Sequence, residues 1–226
     1  RKQHAMWALD NKTPFAAERA WVRDRDGAEV WLVAVKATFL VASDGATSLA
    51  GEQDEVSLVP EFRGDPEQAS LLTESDLVHT KTATDVLLGG HAHAPGAQPV
   101  SSLDATLRVA GVTKTVRVIG DRVWKKSPFG LKLTKPKPFK TMPLTYERAF
   151  GGTDLAAAKE KHHDWEPRNP VGRGFATSKA HLVGTPAPNV EDPSFLIGSW
   201  RHRPKPIGFG PIARHWAPRV ALAGTY

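Results

Sequence analysis

The stretch AEVWLVAVKATFLVA, residues 28–42, decides the fold class of this chain. Every second residue from Trp31 to Val41 is apolar, and this period of two residues is typical of a β-strand. The residues between them are mostly apolar as well. A strand that is apolar on both sides is expected to be covered on both sides. The stretch therefore predicts a long, well-buried strand in a β-rich protein.

More strands are predicted on the C-terminal side of this stretch. Residues 103–126 read as a β-meander, with turns at Gly111-Val112 and at Gly120-Asp121. The segments TDVLLGGHAHA (84–94) and PLTYERAF (143–150) add two candidate strands. Only DLAAAKEKHH (154–163) has a helical pattern, with Asp154 as its N-cap.

The amino-acid composition of the chain changes from residue 164 onward. Prolines there are too frequent for long regular elements, yet tryptophan and phenylalanine side chains are scattered through the same region. We therefore expect residues 154–226 to be an ordered, proline-rich wrap over a strand-rich core formed by residues 1–153. The prediction is one mainly β domain over residues 1–226. It is a single β-sandwich or a partly closed β-barrel, with long irregular loops and at most one or two short helices.

Composition excludes several classes of protein. The 226 residues are 40% hydrophobic and 24% charged, as in an ordinary soluble domain. The sequence has no apolar run long enough to cross a membrane and no cysteine for a disulfide or a thiolate zinc site. The segment GFGPIA (208–213) matches a dinucleotide-binding pattern only superficially, since a basic, proline-rich segment precedes it. We expect a cytoplasmic protein without a cofactor and without a membrane partner.

A net charge of +6 raises the question of an anionic partner. Much of the excess lies in KKSPFGLKLTKPKPFK (125–140) and in residues 201–205. Basic residues interleaved with phenylalanine can follow a nucleic-acid backbone. No nucleic-acid motif of defined spacing accompanies the charge, which favours a solvated loop over nucleic acid. An acidic protein would suit the same patch.

His91 and His93 are the most suggestive pair of side chains. On a strand, residues two apart point to the same side, so the two imidazoles could share a zinc or iron ion. A third ligand would have to come from His79, His162, His163, Asp164, His202 or His215, and no spacing selects one of them. The glycines and prolines around the pair predict a bend in which the histidines are structural. The metal site is kept as the alternative.

Arginine and aromatic residues in the irregular half are the candidate partner-binding or scaffold residues. Arg148, Arg168 and Arg173 could pair with Glu191 or Asp192 and join that half to the core. Alternatively, they could frame a partner-binding groove. The set of candidate groove or scaffold residues is His91, Arg148, Arg168, Arg173, Trp200 and Trp216.

Segments with specific residue types follow one another along nearly the whole chain. They are Asn11–Phe15, Thr84–Val86, Gly90–Ala92, Ala94–Pro95, Tyr146–Gly152, Arg168–Phe175, Pro188–Asn189, Glu191–Pro193, Gly208–Pro211 and Ala223–Tyr226. Together and in this order they resemble a bacterial family known as domain of unknown function 2169.

The resemblance implies a role in the type VI secretion system. Members of the family are encoded beside spike proteins and toxic effectors. Some are thought to load an effector, often one with a PAAR domain, onto the VgrG spike. No catalytic residue is implied, and position 93 often carries an aromatic residue in the family, so a His91/His93 metal pair is not implied either. We therefore expect a non-enzymatic adaptor or chaperone, with a metal-dependent hydrolase and a basic nucleic-acid or glycan-binding module as the alternatives.

Overall fold

The structure is a computed structural model that describes residues 8–24, 26–78, 83–157 and 164–221. The chain divides into two compact units. The smaller unit comprises residues 1–61, 73–84 and 226, and the larger comprises residues 62–72 and 85–225. The organisation as one domain over residues 1–226 stays a prediction.

The smaller unit is built from two antiparallel pairs of strands. Its strands are β1 (Ala16–Arg23), β2 (Glu29–Lys36), β3 (Phe39–Val41) and β4 (Thr47–Leu49). β1 pairs with β2 so that Trp21 lies opposite Trp31, and β3 pairs with β4. In the tight loop between β1 and β2, the Asp24 carboxylate accepts a hydrogen bond from the Ala28 backbone N–H at 2.8 Å.

The prediction of one well-buried strand over residues 28–42 is wrong in two respects. The strand breaks between Lys36 and Phe39, because Gln53 binds the backbone of Thr38. The Gln53 side chain accepts from the Thr38 N–H at 2.8 Å and donates to the Thr38 carbonyl at 3.2 Å. One side of β2 is also exposed, with Val33 at 62%. A two-stranded hairpin covers neither of its own sides, so alternation in the sequence does not guarantee burial.

Nine of the remaining eleven strands lie in the larger unit. The eleven are β5 (Glu61–Phe62), β6 (Leu71–Thr73), β7 (His91–His93), β8 (Ser102–Val109), β9 (Val112–Ile119), β10 (Trp124–Ser127), β11 (Gly130–Leu133), β12 (Thr141–Pro143), β13 (Phe150–Gly151), β14 (Arg173–Gly174) and β15 (Val190–Glu191). They form antiparallel ladders β15–β9–β8, β10–β11 and β12–β7, a parallel ladder β13–β14, and the ladder β5–β6.

The predicted meander is only half present. β8 and β9 form the expected hairpin, with the turn at Ala110-Gly111, where Ala110 has a φ of 49°. The third predicted strand, β10, does not continue this sheet and pairs with β11 instead. β15 takes the place beside β9, so a segment about 70 residues further along the chain completes the sheet.

Helical structure is sparse among the described residues. One α-helix, α1 (Ala217–Val220), is present, together with 3₁₀ turns at Pro95–Ala97, Tyr146–Arg148 and Leu155–Ala157. The Asp154 carboxylate accepts from the Ala157 N–H at 3.2 Å, as expected of an N-cap. The rest of the predicted helix, residues 158–163, lies outside the described residues. No helix in the described ranges is long and apolar enough to span a bilayer.

Two apolar clusters hold the larger unit together. The first lies on the inner side of β9, where Val116 and Val118 are fully buried, and includes Phe209 and Trp216. The second surrounds Trp124. Its other buried members are Phe150, Ala176, Leu182, Ala187 and Ile197. The irregular half of the chain thus supplies much of both clusters. The mainly β fold with long irregular loops and at most one or two short helices is confirmed, while the described strands do not close into a barrel.

Candidate functional site

Arg148 and Arg173 converge on the side chain of Asn189. Asn189 is completely buried, and its amide oxygen accepts hydrogen bonds from Arg148 at 3.0 Å and from Arg173 at 3.3 Å. Its amide nitrogen donates to the carbonyl of Ile119 at 2.9 Å and to the carboxylate of Asp121 at 3.0 Å. Burial, reinforced by the like charge of Arg148, lowers the pKa of Arg173. These contacts make both arginines part of the scaffold.

The expected pairing of Arg148, Arg168 or Arg173 with Glu191 or Asp192 is wrong. Glu191 pairs with Arg122, and the two side chains are only 1% and 8% exposed. Arg122 also donates to the carbonyl of Pro188 at 2.7 Å, and the second oxygen of Glu191 accepts from the Ile197 N–H at 2.7 Å. Sequence reasoning missed Arg122 because it directly follows a predicted Gly-Asp turn and resembles a solvated loop residue there.

Arg168 has a different carboxylate partner, two residues away. It binds Glu166 with two parallel hydrogen bonds of 2.6 and 2.7 Å, and Glu166 is 5% exposed. Burial opposes the charge of Glu166, but the hydrogen bonds from Arg168 hold the pKa of that carboxyl below its usual range. This bidentate geometry fixes the Arg168 guanidinium in one orientation.

Arg168 lies on the wall of an open groove in the larger unit. We call it the Lys205 groove; its volume is about 460 Å³. Its lining residues are Tyr146, Arg168, Lys205, Pro206, Ile212, Ala217 and Pro218. On the other side of Lys205 is a smaller depression of about 280 Å³, lined by Asp192, Phe195, Arg203, Pro204 and Lys205. The groove therefore combines a mostly apolar lining with two cationic side chains.

Tyr146 provides the polar group of the groove that is held most firmly. Its side chain packs edge-on against Trp216, with 5.5 Å between ring centroids, and is 5% exposed. Burial raises the pKa of Tyr146 to about 12, so the hydroxyl is protonated at neutral pH. Within the described ranges this hydroxyl has no hydrogen-bond partner. Sequence reasoning quoted Tyr146 in a motif but did not select it as a site residue.

Gly208 makes room for the Tyr146 ring. A Cβ atom at position 208 would lie 3.1 to 3.3 Å from three atoms of that ring. The sequence signal for this close approach is the GFGP segment, which is also part of the family resemblance.

The two candidate tryptophans occupy different environments. Trp216 is 1% exposed and belongs to the first apolar cluster, so it contributes to the core. Trp200 is half-buried against the second cluster, and the Arg201 guanidinium lies over its ring at 5.4 Å. Neither tryptophan lines the Lys205 groove.

His91 and His93 lie on β7, where both side chains are exposed on the same side. Their ring centroids are 6.2 Å apart, and Thr141 lies opposite His93 with 3.4 Å between Oγ1 and Nδ1. Among the described residues no group of three or more His, Cys, Asp or Glu side chains is placed to hold a metal ion. Three of the residues considered as a third ligand, His79, His162 and His163, lie outside the described residues.

A second buried polar cluster surrounds Asp154. Its Oδ2 atom accepts hydrogen bonds from the Thr177 N–H at 2.8 Å and the Thr177 hydroxyl at 2.7 Å, and it contacts His181 Nδ1 at 2.9 Å. Burial opposes the charge, but the hydrogen bonds from His181 and Thr177 lower the pKa of Asp154 to about 2. This cluster fixes the start of the segment that follows β13.

Comparison with protein families gives one match. The model of a family described as an uncharacterized protein conserved in bacteria (DUF2169) matches residues 26–226, which is nearly the whole chain. No curated protein and no solved structure matches the chain.

Proposed function

Since the chain belongs to the bacterial DUF2169 family, we propose that it is a non-enzymatic adaptor or chaperone of the type VI secretion system. It binds a secreted effector in the cytoplasm and helps to load that effector onto the VgrG/PAAR spike. The observation that carries the proposal is the Lys205 groove, an open, mostly apolar surface with fixed cationic and hydroxyl groups.

The chemistry of the groove suits an acidic and apolar segment of a polypeptide. Pro206, Ile212 and Pro218 offer apolar contact surface. Lys205 is exposed and forms no ion pair with a carboxylate within the described ranges. A carboxylate entering the groove can accept hydrogen bonds from Lys205 and from the protonated Tyr146 hydroxyl.

The groove is organised before a partner arrives. Glu166 fixes Arg168, and Trp216 fixes the Tyr146 ring. Side chains that are already ordered lose little conformational entropy on binding. This supports specific recognition of one anchor segment in the effector over non-specific hydrophobic binding.

The groove has the size of an anchor site. A cavity of this volume accepts one or two side chains, whereas a stable protein complex buries about 1,600 Å² in total. The effector must therefore contact further surface around the groove, and the groove supplies a cluster of strong contacts within that interface.

The arrangement of ionisable side chains favours the adaptor over the metal-dependent hydrolase. His91 and His93 face the same side of β7, but their third ligand would have to come from outside the residues that the structure describes. The buried polar residues around Asn189 and Glu191 hydrogen-bond to protein atoms and have a structural role.

Co-expression with the effector encoded next to this protein tests the proposal. We expect the wild-type chain to keep the effector soluble and to co-purify with it. Lys205→Glu should weaken the complex about tenfold, because it places a carboxylate where a carboxylate must bind. Lys179→Glu makes the same change of net charge at an exposed position outside the groove and should bind normally. An effector that stays soluble and is secreted in a strain lacking this gene would refute the adaptor role.

A further inference from the structure

A basic hairpin, β10–β11, belongs to the larger unit and shares no residue with the lining of the Lys205 groove. β10 and β11 are joined by Pro128 and Phe129, and Trp124 lies opposite Leu133 at the base of the hairpin. Trp124 is 1% exposed and anchors the base in the second apolar cluster, where Leu131 and Leu133 also pack. The hairpin is thus a rigid element with one side on the core.

The outward side of this hairpin carries two lysines in direct opposition. Lys125 and Lys132 are cross-strand partners, both exposed, on the side opposite to Trp124 and Leu133. Like charges at directly opposed positions destabilise a β-ladder. In the described part of the chain neither ammonium group has a carboxylate partner. The free protein therefore carries an unfavourable pair that an anion would relieve.

The turn at the tip of the hairpin carries a solvent-exposed apolar side chain. Phe129 is fully exposed, at 101% of its reference area. A phenyl ring in water costs free energy that burial against a partner recovers. The charge pair and the ring lie on one hairpin, with Phe129 in the turn between the two strands that carry the lysines, so one ligand can contact both.

The outer edge of β11 is open. β10 is its only strand neighbour among the described residues, and no other backbone hydrogen bond to Leu131, Lys132 or Leu133 is present there. Alternate N–H and C=O groups on such an edge point away from the ladder and can pair with another strand. Only a polypeptide backbone supplies the matching groups, which favours a protein over a nucleic acid or a lipid surface. The lysines disfavour a second copy of this hairpin.

We infer that the edge of β11 binds an extended, acidic segment of a partner protein by β-augmentation. The bound segment adds a strand beside β11, its carboxylates lie near Lys125 and Lys132, and its alternate apolar side chains contact Leu131 and Phe129. The inference does not depend on what the Lys205 groove binds. It gives the protein a second interaction surface, as an adaptor that contacts two proteins requires.

The test uses a fluorescent 12-residue peptide of alternating glutamate and leucine and the full chain. We expect a rise in anisotropy at low ionic strength that weakens as salt shortens the screening length from about 30 Å to about 8 Å. Phe129→Ser and Lys132→Glu should each weaken binding about tenfold. Lys132→Glu creates an opposite-charge pair with Lys125, so its melting temperature should be no lower than that of the wild type, and loss of binding cannot be attributed to unfolding.

Three comparisons separate the outcomes. Lys179→Glu is the control for Lys132→Glu, because it makes the same change of charge at an exposed position outside the hairpin. Leu155→Ser is the control for Phe129→Ser, because it removes an exposed apolar side chain outside the hairpin. Both control variants should bind the peptide like the wild type. Because an acidic, apolar peptide also suits the Lys205 groove, the hairpin variants are compared in a Lys205→Glu background, where Phe129→Ser and Lys132→Glu should still weaken binding. Binding that is lost through Lys205→Glu and is insensitive to both hairpin variants would overturn the hairpin site and leave the groove proposal standing. The inference is also overturned if the peptide does not bind. Tighter binding of a 12-nucleotide single strand, or of vesicles containing phosphatidylglycerol, would overturn it as well.

Discussion

Arg122 and Glu191 form an ion pair that is almost completely removed from water, although 68 residues separate them in the chain. The Arg122 guanidinium also donates to the Pro188 carbonyl, and Glu191 also accepts from the Ile197 N–H. Both charges are therefore paired within one buried network that joins the end of β9 to β15, in which the Arg122 Nε atom has no hydrogen-bond partner among the described residues.

Removal of one partner from this pair should be costly. Glu191→Gln leaves Arg122 buried without a countercharge, so we expect a loss of about 3–5 kcal/mol in the free energy of unfolding, measured by urea denaturation. The exposed pair Arg117–Asp104 provides the matched control, and Asp104→Asn should cost less than about 1 kcal/mol. Similar losses in the two variants would mean that burial does not determine the cost of breaking the Arg122–Glu191 pair.

The Asp154 cluster predicts a pH dependence at the acidic end. Its folded-state pKa of about 2 lies below the ordinary value of 3.8, so the unfolded state binds the proton more readily. The stabilisation is fully present above about pH 4 and is lost as the pH falls toward 2; it amounts to roughly 1–2 kcal/mol. The difference in urea midpoint between the wild type and Asp154→Asn should therefore shrink over this interval. A difference that stays constant would show that Asp154 is not ionised in the folded protein.

Gly120 should tolerate no side chain. A Cβ atom there would lie 1.9 Å from the backbone carbonyl oxygen of Lys137. The Gly120 N–H bond to the Ser101 carbonyl and the Lys137 N–H bond to the Asp121 carbonyl, both 3.0 Å, hold the two segments in place. We expect Gly120→Ala to destabilise the protein by about 3 kcal/mol or more. Gly111→Ala, where no atom lies within 4 Å of the added carbon, should be nearly neutral. Equal thermal shifts in the two variants would contradict this account.

The two histidines of β7 should not behave as a metal pair. Both are exposed, so His91→Ala and His93→Phe should each change the free energy of unfolding by less than about 0.5 kcal/mol. In the proposed adaptor, His91→Ala should impair effector binding more than His93→Phe. Addition of zinc should leave the melting temperature unchanged. Equal and metal-dependent losses from both substitutions would instead favour the hydrolase.

The alternation of apolar residues correctly predicts β2 and the β8–β9 hairpin, because strand formation depends on the local sequence pattern and on the residues of the turn. The same pattern wrongly predicts that Val33 is buried. Burial depends on which other segments cover a strand, and the strand's own sequence does not specify them. The pattern also assigned β10 to the wrong neighbour. Sheet order is set by contacts between distant segments, here by β15 lying beside β9.

The candidate site was predictable only in part. Arg168 was selected and lines the Lys205 groove, but Tyr146 and Lys205 were not selected. The groove is formed where Tyr146, Arg168 and residues 205–218 meet, and no spacing in the sequence indicates that these segments lie together. Trp216, a candidate groove or scaffold residue, lies in the core beside Tyr146 and does not line the groove.

The side chain of Asn189 ties the end of β9 to a segment 70 residues later in the chain. On a ribosome, the strands β8 and β9 emerge long before Asn189, and Trp216 emerges later still. The apolar side of β9 is therefore uncovered until residues 190–216 have been synthesised. Contacts between residues so far apart slow the folding of a chain, because a long loop has to close before they form. The growing chain is therefore most prone to aggregation in the interval between the synthesis of β9 and that of Trp216.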